Sequence, residues 1–341
     1  DAHDRVLGIV HGASSGGAPL FLEPREMVGR GNRHKMLEAA VQREEEAILA
    51  RLSALAHAHH EALVEVVRQL VHLDVRCAAA KLAFALRCTT PKILGAGEEL
   101  LLERARHPLL LLDGVAVVPN DLALRSGQVL VLSGPNAGGK TVALKTMGLL
   151  ALMVRLGLPI PAAEGARMPW FEEVLSDVGD EQNLSKNLST FSAHVQNLAH
   201  ILERSGSATL VLLDEVASGT DPREGEALAT AVLERLAEQG AFVACATHYE
   251  ALKLLALSDE RFQNASVGFD LAAMRPTFEL LVGLPGPSSA LSVARRFGIP
   301  AEAVARAESL LSEQTRNVSE LVEELSEKQR ALNDRLREAE G

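Results

Sequence analysis

The run Gly134-Pro135-Asn136-Ala137-Gly138-Gly139-Lys140-Thr141 has the spacing G-x-x-x-x-G-K-[ST] and directly follows the strand-like stretch Val129-Leu130-Val131-Leu132-Ser133. Glycines at these positions let backbone N–H groups turn inward on a chain of phosphates. Lys140 then reaches the β and γ oxygens, and the Thr141 hydroxyl can ligate Mg²⁺ at the positive end of the helix that starts there. This is binding chemistry for a nucleoside triphosphate. Further along, Leu210-Val211-Leu212-Leu213-Asp214-Glu215 ends an apolar strand in two carboxylates. Asp214 is placed to hold Mg²⁺ through water, and Glu215 to polarise the attacking water. In Ala241-Phe242-Val243-Ala244-Cys245-Ala246-Thr247-His248, the histidine stands just past a strand end. A neutral imidazole there can bond a γ-phosphate oxygen or the attacking water. The polar run from Asp177 to Ser192 contains the pair Ser189-Thr190, which opens a helix as an N-cap does. Such a helix start either caps itself or accepts an anion from another molecule.

Three groups of elements must position these residues. Val6 to Val10 and Pro19 to Leu22, joined by a glycine-serine loop, read as two short strands. From about 36 to 88 the apolar residues recur at helical spacing with almost no breakers, which predicts one long amphipathic rod or two. A helix of about 35 residues spans roughly 50 Å, a length that suits a lever arm. After Pro91 short apolar runs alternate with Gly and Asp. Strands are expected at Leu100–Leu102, Leu109–Leu112, Val115–Val118, Val129–Leu132, Val174–Ser176, Leu210–Leu213 and Ala241–Ala246, with helices starting near Gly139, Ala193 and Glu224. That alternation is the signature of an α/β sheet whose strand-to-helix loops carry the ligand. Beyond a Gly- and Pro-rich loop at 283–289, helical patterns run over Ser292–Phe297 and from Ala301 to about Glu340, with Leu and Val on one side and charge on the other.

Composition narrows the function classes. A chain of 341 residues with 47% hydrophobic content suits about two or three packed units. The net charge of −11 argues against a wholly basic nucleic-acid coat, so any such contact is local. The densest basic cluster is Arg25, Arg30, Arg33, His34 and Lys35, on a glycine-containing approach to a helix; it reads as a solvated loop or as a phosphate contact. Cys77, Cys88 and Cys245 lie far apart and suggest neither a disulfide framework nor a zinc site, as expected of a cytoplasmic protein. The longest apolar stretch, Met147 to Ala163, is interrupted by Arg155 and two prolines, so no membrane span is expected. An N-terminal Asp1 and an end inside a charged helical pattern read as a segment of a longer protein.

In order and spacing, GPNAGGKT, SDVGDEQNLSKNLSTFSAH, LVLLDEVASGTDPREG and ATHYEALK resemble the ATPase domain of the MutS family, a group of ABC-type ATPases. The upstream GIVHGASSGGAPLFLEP and the form DEVASGTDP are similar to its second bacterial branch rather than to the mismatch-repair branch. The resemblance implies an α/β P-loop domain at 93–282, a core and lever region of long helices at 1–92, and a helical dimerisation and linker segment at 283–341. It implies ATP and Mg²⁺ as cofactors, with Lys140, Glu215 and His248 catalytic, and Thr141 and Asp214 at the metal. The nucleotide would lie against Gly134 to Val142, and against Val118 and Asn120 in the lead-in segments Arg106-His107-Pro108-Leu109 and Val118-Pro119-Asn120-Asp121. Ser189 and Thr190 would act in trans, from the other subunit of a homodimer. The implied function is an ATP-dependent clamp on branched or recombining duplex DNA that suppresses recombination. The alternative is an ATPase acting on stalled or collided ribosomes and their rRNA. The mismatch-reading domain of the mismatch branch has no counterpart here. The branch's Smr nuclease domain would follow Gly341, so ATP hydrolysis is expected of this chain and nuclease activity is not.

Overall fold

The computed structural model describes residues 8–13, 20–135, 138–179, 190–270, 275–283, 285–286, 294–295 and 297–310. The chain divides into two compact units, Asp1–Arg76 and Cys77–Gly341.

In the first unit, β1 (Gly8–Ala13) and β2 (Leu20–Pro24) pair antiparallel, Gly8 opposite Pro24 and Ala13 opposite Leu20. Pro24 cannot donate to a ladder, which ends β2 there, and it becomes the N-cap of α1 (Arg25–Ala58). The basic cluster Arg25 to Lys35, expected on an approach loop, therefore lies inside this helix together with Gly29 and Gly31. A helical glycine costs about 1 kcal/mol relative to Ala, and the strong helix formers on both sides carry it. His59, with φ −109° and its N–H bonded back to the Leu55 and Ala56 carbonyls, separates α1 from α2 (His60–Leu86), so the periodic stretch forms two helices. None of the residues of α1 is buried, and Leu37, Val41, Leu52 and Leu55 stay exposed.

The second unit takes up the chain from Cys77. Arg87, at φ 51°, turns the chain out of the helix, and Thr89 then bridges to Ile160. A small sheet is built from β3 (Lys92–Leu94), β4 (Leu100–Ala105), β5 (Asn120–Leu124) and β7 (Arg167–Pro169), in the order β3-β7-β4-β5. The main sheet holds β6 (Val129–Ser133), β8 (Glu173–Asp177), β9 (Thr209–Asp214), β10 (Phe242–Ala246), β11 (Phe262–Asp270) and β12 (Arg275–Val282), in the order β12-β11-β6-β10-β9-β8. All its pairings are parallel except that of β12 with β11.

Both faces of this sheet are covered, which is why its central strands read as continuous apolar runs. Leu130, Leu132, Leu210, Leu212, Phe242 and Ala244 face α4 (Lys140–Arg155) and the small sheet. The alternate residues Val129, Val131, Val211, Leu213, Val243 and Cys245 face α5 (Thr190–Arg204), α6 (Pro222–Glu238) and α7 (Glu250–Ser258). Burial pushes the Cys245 thiol up to about 12, so it behaves as a small hydrophobe. Gly148 lets α4 approach the sheet closely, because a Cβ there would stand 2.7 Å from Leu212 Cδ1.

Two expected strands are absent. Leu109–Leu112 belongs to a short helix, α3 (Pro108–Leu112), because the His107 ring caps it by accepting from the Leu110 N–H and Pro108 occupies the first turn. Val115–Val118 forms no strand and instead lines a cavity. Of the C-terminal helical patterns, α8 (Ala301–Leu310) is described; 311–341 and, within 292–297, residues 292, 293 and 296 lie outside the described residues. Among the described residues no helix is long and apolar enough to cross a membrane.

Candidate nucleotide and hydrolysis site

Parallel strands deliver their C-terminal ends to one edge of a sheet, and the strand order decides what meets there. β10 lies between β6 and β9, with Ala246 opposite Leu132 on one side and Asp214 on the other. The loop after β6 carries Gly134 to Lys140, the end of β9 carries Asp214 and Glu215, and His248 emerges between them. The loop itself bends at Gly134 (φ 119°) and Gly139 (φ 100°), and the Gly138 N–H closes it onto the Pro135 carbonyl. It is braced from outside. A Cβ on Gly138 would stand 2.6 Å from Val267 Cγ2 on β11, and the Gly286 N–H donates to Ser133 Oγ at 2.7 Å.

The side chains converge accordingly. Lys140, 3% exposed, donates from Nζ to the Gly134 carbonyl at 2.6 Å. Burial lowers its pKa, against the pull of Asp214 and Glu215. Thr141 Oγ1 donates to Asp214 Oδ2 at 2.6 Å, and His248 Nε2 stands 3.5 Å from Glu215 Oε1. Glu215 has φ 55° and Ala217 φ 56°, left-handed conformations that cost a non-glycine residue about 1–3 kcal/mol each. The turn is held by the Glu215 N–H on the Ala246 carbonyl, by the Ser218 N–H on the Glu215 carbonyl, and by Tyr249 Oη donating to the Ala217 carbonyl at 3.1 Å. Gly225 leaves room for that tyrosine, since a Cβ there would overlap the hydroxyl. Strain at Glu215 thus aims its carboxylate at the shared edge.

Two cavities open on this edge. One is lined by Lys140, Thr141, Asp214, Glu215, His194 and Ser218, among others. The second is largely apolar and reaches the start of α4; Val118, Asn120, Gly139, Val142, His107 and Phe278 are on its walls. Asn120 donates from Nδ2 to the Phe278 carbonyl and accepts the Leu280 N–H, joining the small sheet to β12. Phe278 adopts φ 58° at a bulge and brings its ring within 3.2 Å of where a Gly139 Cβ would be. An apolar cavity next to a phosphate loop suits a flat heteroaromatic base, and the polar cavity suits phosphates. For a cation, the Thr141 hydroxyl and the Asp214 carboxylate supply two hard oxygens side by side, the donors Mg²⁺ takes while phosphate and water complete its shell. Among the described residues no cluster of three or more His, Cys, Asp or Glu forms an all-protein cage, in keeping with that arrangement.

The structure brings together Lys140, Thr141, Asp214, Glu215 and His248, and sets Val118, Asn120 and Val142 around the neighbouring apolar cavity. Asn136, Ala137 and Ser189 lie outside the described residues, and Thr190 is described only as the first residue of α5. The sequence named His107 only within the lead-in segment Arg106-His107-Pro108-Leu109, and it did not mark Phe278 or group Asp177, His194 and Asn197 as a cluster. Only the three-residue spacing of His194 and Asn197 on one helix face signalled the last.

Burial, then the charge of Lys140, lowers the pKa of His248, with Glu215 opposing. The unfolded chain therefore takes up this proton first as pH falls below the ordinary histidine value, and native stability declines on the acid side. A ring-proton NMR titration should place the His248 midpoint below the ordinary histidine value.

A parallel sheet carrying a phosphate loop, with two carboxylates and a histidine at the ends of the neighbouring strands, defines a P-loop ATPase-type domain of mixed α/β class. Residues 130–315, more than half of the chain, match the family model described as MutS domain V, and the chain belongs to that family. Over 336 residues it is 45% identical to Endonuclease MutS2 of Thermomicrobium roseum, covering 95% of this chain and 42% of that protein. Endonuclease MutS2 of Pelotomaculum thermopropionicum is 45% identical over 339 residues, with 98% and 42% covered, and that of Gemmatimonas aurantiaca 41% over 338 residues, with 99% and 41% covered. The chain spans about two fifths of the length of these relatives.

Proposed function

We propose that this chain is the ATP-hydrolysing, gating part of a homodimeric clamp that acts on branched or recombining DNA. The observation that carries the reading is the meeting of Thr141–Asp214 with Glu215–His248 at the end of the phosphate loop. Lys140 would exchange its bond to the Gly134 carbonyl for β and γ oxygens of ATP. Thr141 and Asp214 would hold Mg²⁺, which when bound neutralises charge on the phosphates. Glu215 would take a proton from the attacking water, and His248 would sense the terminal phosphate beside it. The apolar cavity of Val118, Val142 and Phe278 would take the adenine. Thr190, the first residue of α5, and Ser189, which precedes it in the sequence, would complete the site of the other subunit. Residues 1–92 would serve as levers, 93–282 as the ATPase and 283–341 as a dimerisation and linker segment.

A nucleic-acid target is supported by the name of the relatives, which describes endonucleases. Cleavage is assigned to the part of those proteins that this chain does not cover. With a net charge of −11, contact with DNA must come from local basic groups such as the Arg25 to Lys35 stretch of α1, so affinity should depend on phosphate neutralisation. The chain is expected to bind branched DNA, to lose affinity by about tenfold or more between 50 and 200 mM salt, and to change affinity when a non-hydrolysable ATP analogue is present. Fluorescence anisotropy with branched, duplex and RNA probes measures all three. Binding that ignores both salt and nucleotide would refute the clamp, and a preference for RNA would move the target away from DNA.

A further inference from the structure

We propose that His194 is a second imidazole of the hydrolysis pocket, held by Asp177 so that its Nε2 orients the attacking water together with Glu215. The proposal rests on the ATPase reading above and deepens it.

β8 lies beside β9 with Asp177 opposite Leu213, which puts this carboxylate next to the end of the strand that supplies Asp214. Asp177 is 8% exposed and both its oxygens are engaged: His194 Nδ1 lies 2.9 Å from Oδ2, and Asn197 Nδ2 donates to Oδ1 at 3.0 Å. Asn197 also donates to the Ser176 carbonyl at 3.1 Å. An ionised carboxylate only accepts, so Nδ1 carries the proton, and in the neutral ring Nε2 is left as an acceptor. With Nδ1 turned to Asp177, the nitrogen that His194 offers to the cavity is Nε2.

Four of the other groups on that wall face partners of their own. Lys140 is bonded to the Gly134 carbonyl, Thr141 to Asp214, and Glu215 faces His248. A water molecule attacks phosphorus through a lone pair, which is best aimed when both its protons are held by acceptors. Glu215 supplies one acceptor and His194 Nε2 the other. In the step, the water oxygen bonds to the γ-phosphorus as the bond to the ADP oxygen breaks. One proton passes to the Glu215 carboxylate, and the other remains on the new phosphate oxygen, hydrogen-bonded to Nε2. Asp177 and Asn197 are positioning residues that act through His194.

A merely structural tie between α5 and β8 makes a different forecast, and one substitution separates the two. His194→Asn places an amide N–H where Nδ1 stands and can keep the bond to Asp177, but it has nothing at the place of Nε2. The expected result, for His194→Asn and His194→Ala alike, is turnover reduced by about tenfold to a hundredfold. Trapping of ADP with aluminium fluoride should weaken in parallel, while affinity for a non-hydrolysable ATP analogue stays unchanged. His194→Gln, whose amide reaches the position of Nε2, should recover part of both losses. The melting temperature of His194→Asn should equal that of the parent. Wild-type turnover and trapping in His194→Asn, or a loss of ATP-analogue affinity as large as the loss of turnover, would overturn the proposal. Glu215→Gln is run alongside. If the parent shows no ATP turnover, the ATPase reading itself has failed; if Glu215→Gln alone is inactive, only the role of His194 is lost.

Discussion

Glu215→Gln should slow ATP hydrolysis by about 10²–10⁴-fold, the usual worth of a positioned general base, and leave ATP affinity nearly unchanged. The amide has the shape of the carboxylate and keeps the polar contact with His248, but it cannot take up the proton of the attacking water. Lys140→Ala gives the complementary result. It removes a buried cation proposed to reach the phosphates, and binding should weaken by about 10- to 100-fold, the equivalent of the 1.5–3 kcal/mol that a hydrogen bond to a charged group contributes. Steady-state turnover and equilibrium nucleotide affinity of both variants separate the two effects. Near-normal turnover in Glu215→Gln would remove that carboxylate from the mechanism. The left-handed backbone adds a second readout. Glu215→Gly, which relieves φ 55°, should match Glu215→Gln in lost turnover yet melt at a higher temperature.

How much of this was legible depended on where the determining physics lies. β6, β9 and β10 were readable because strands buried on both faces must be apolar throughout, and Val129–Ser133, Thr209–Asp214 and Phe242–Ala246 are nearly so. The phosphate loop was readable because its glycines meet a backbone need that few other residues can fill. Four leucines at 109–112 looked equally strand-like, yet a His107 ring and a proline in the first turn made them a helix, a local capping effect stronger than the apolar pattern. β11 and β12 went unnoticed because Gln263, Asn264 and Ser266 sit among their apolar residues, and two of these polar side chains are buried: Asn264 donates to the Lys253 carbonyl, and Ser266 is almost fully enclosed. The left-handed turn at Glu215 and Ala217 has no mark in residue type. It is imposed by Ala246 and Tyr249, which lie some thirty residues downstream. The Asp177–His194 contact likewise joins a strand end to a helix across residues that carry no periodic pattern.

The second large effect tests whether the site is shared between subunits. Ser189→Arg and Lys140→Ala should each be nearly inactive alone, the first because a bulky cation replaces the serine that precedes Thr190 in the sequence, the second because the phosphate loop loses its lysine. In a twofold dimer with composite sites, mixing the two variants one to one makes half of the dimers mixed. Each mixed dimer then carries one site with both defects and one with neither, so the mixture should recover about one quarter of wild-type turnover. If every site were completed within its own subunit, each mixed dimer would still hold two defective sites and nothing would be recovered. Subunit exchange must be shown independently, by energy transfer between labelled chains, before the rates are compared. A mixture that exchanges fully and stays inactive would assign the start of α5 to its own phosphate loop. Recovery well above one quarter would mean that the intact site runs faster when its neighbour is silent, and hence that the two sites normally restrain each other.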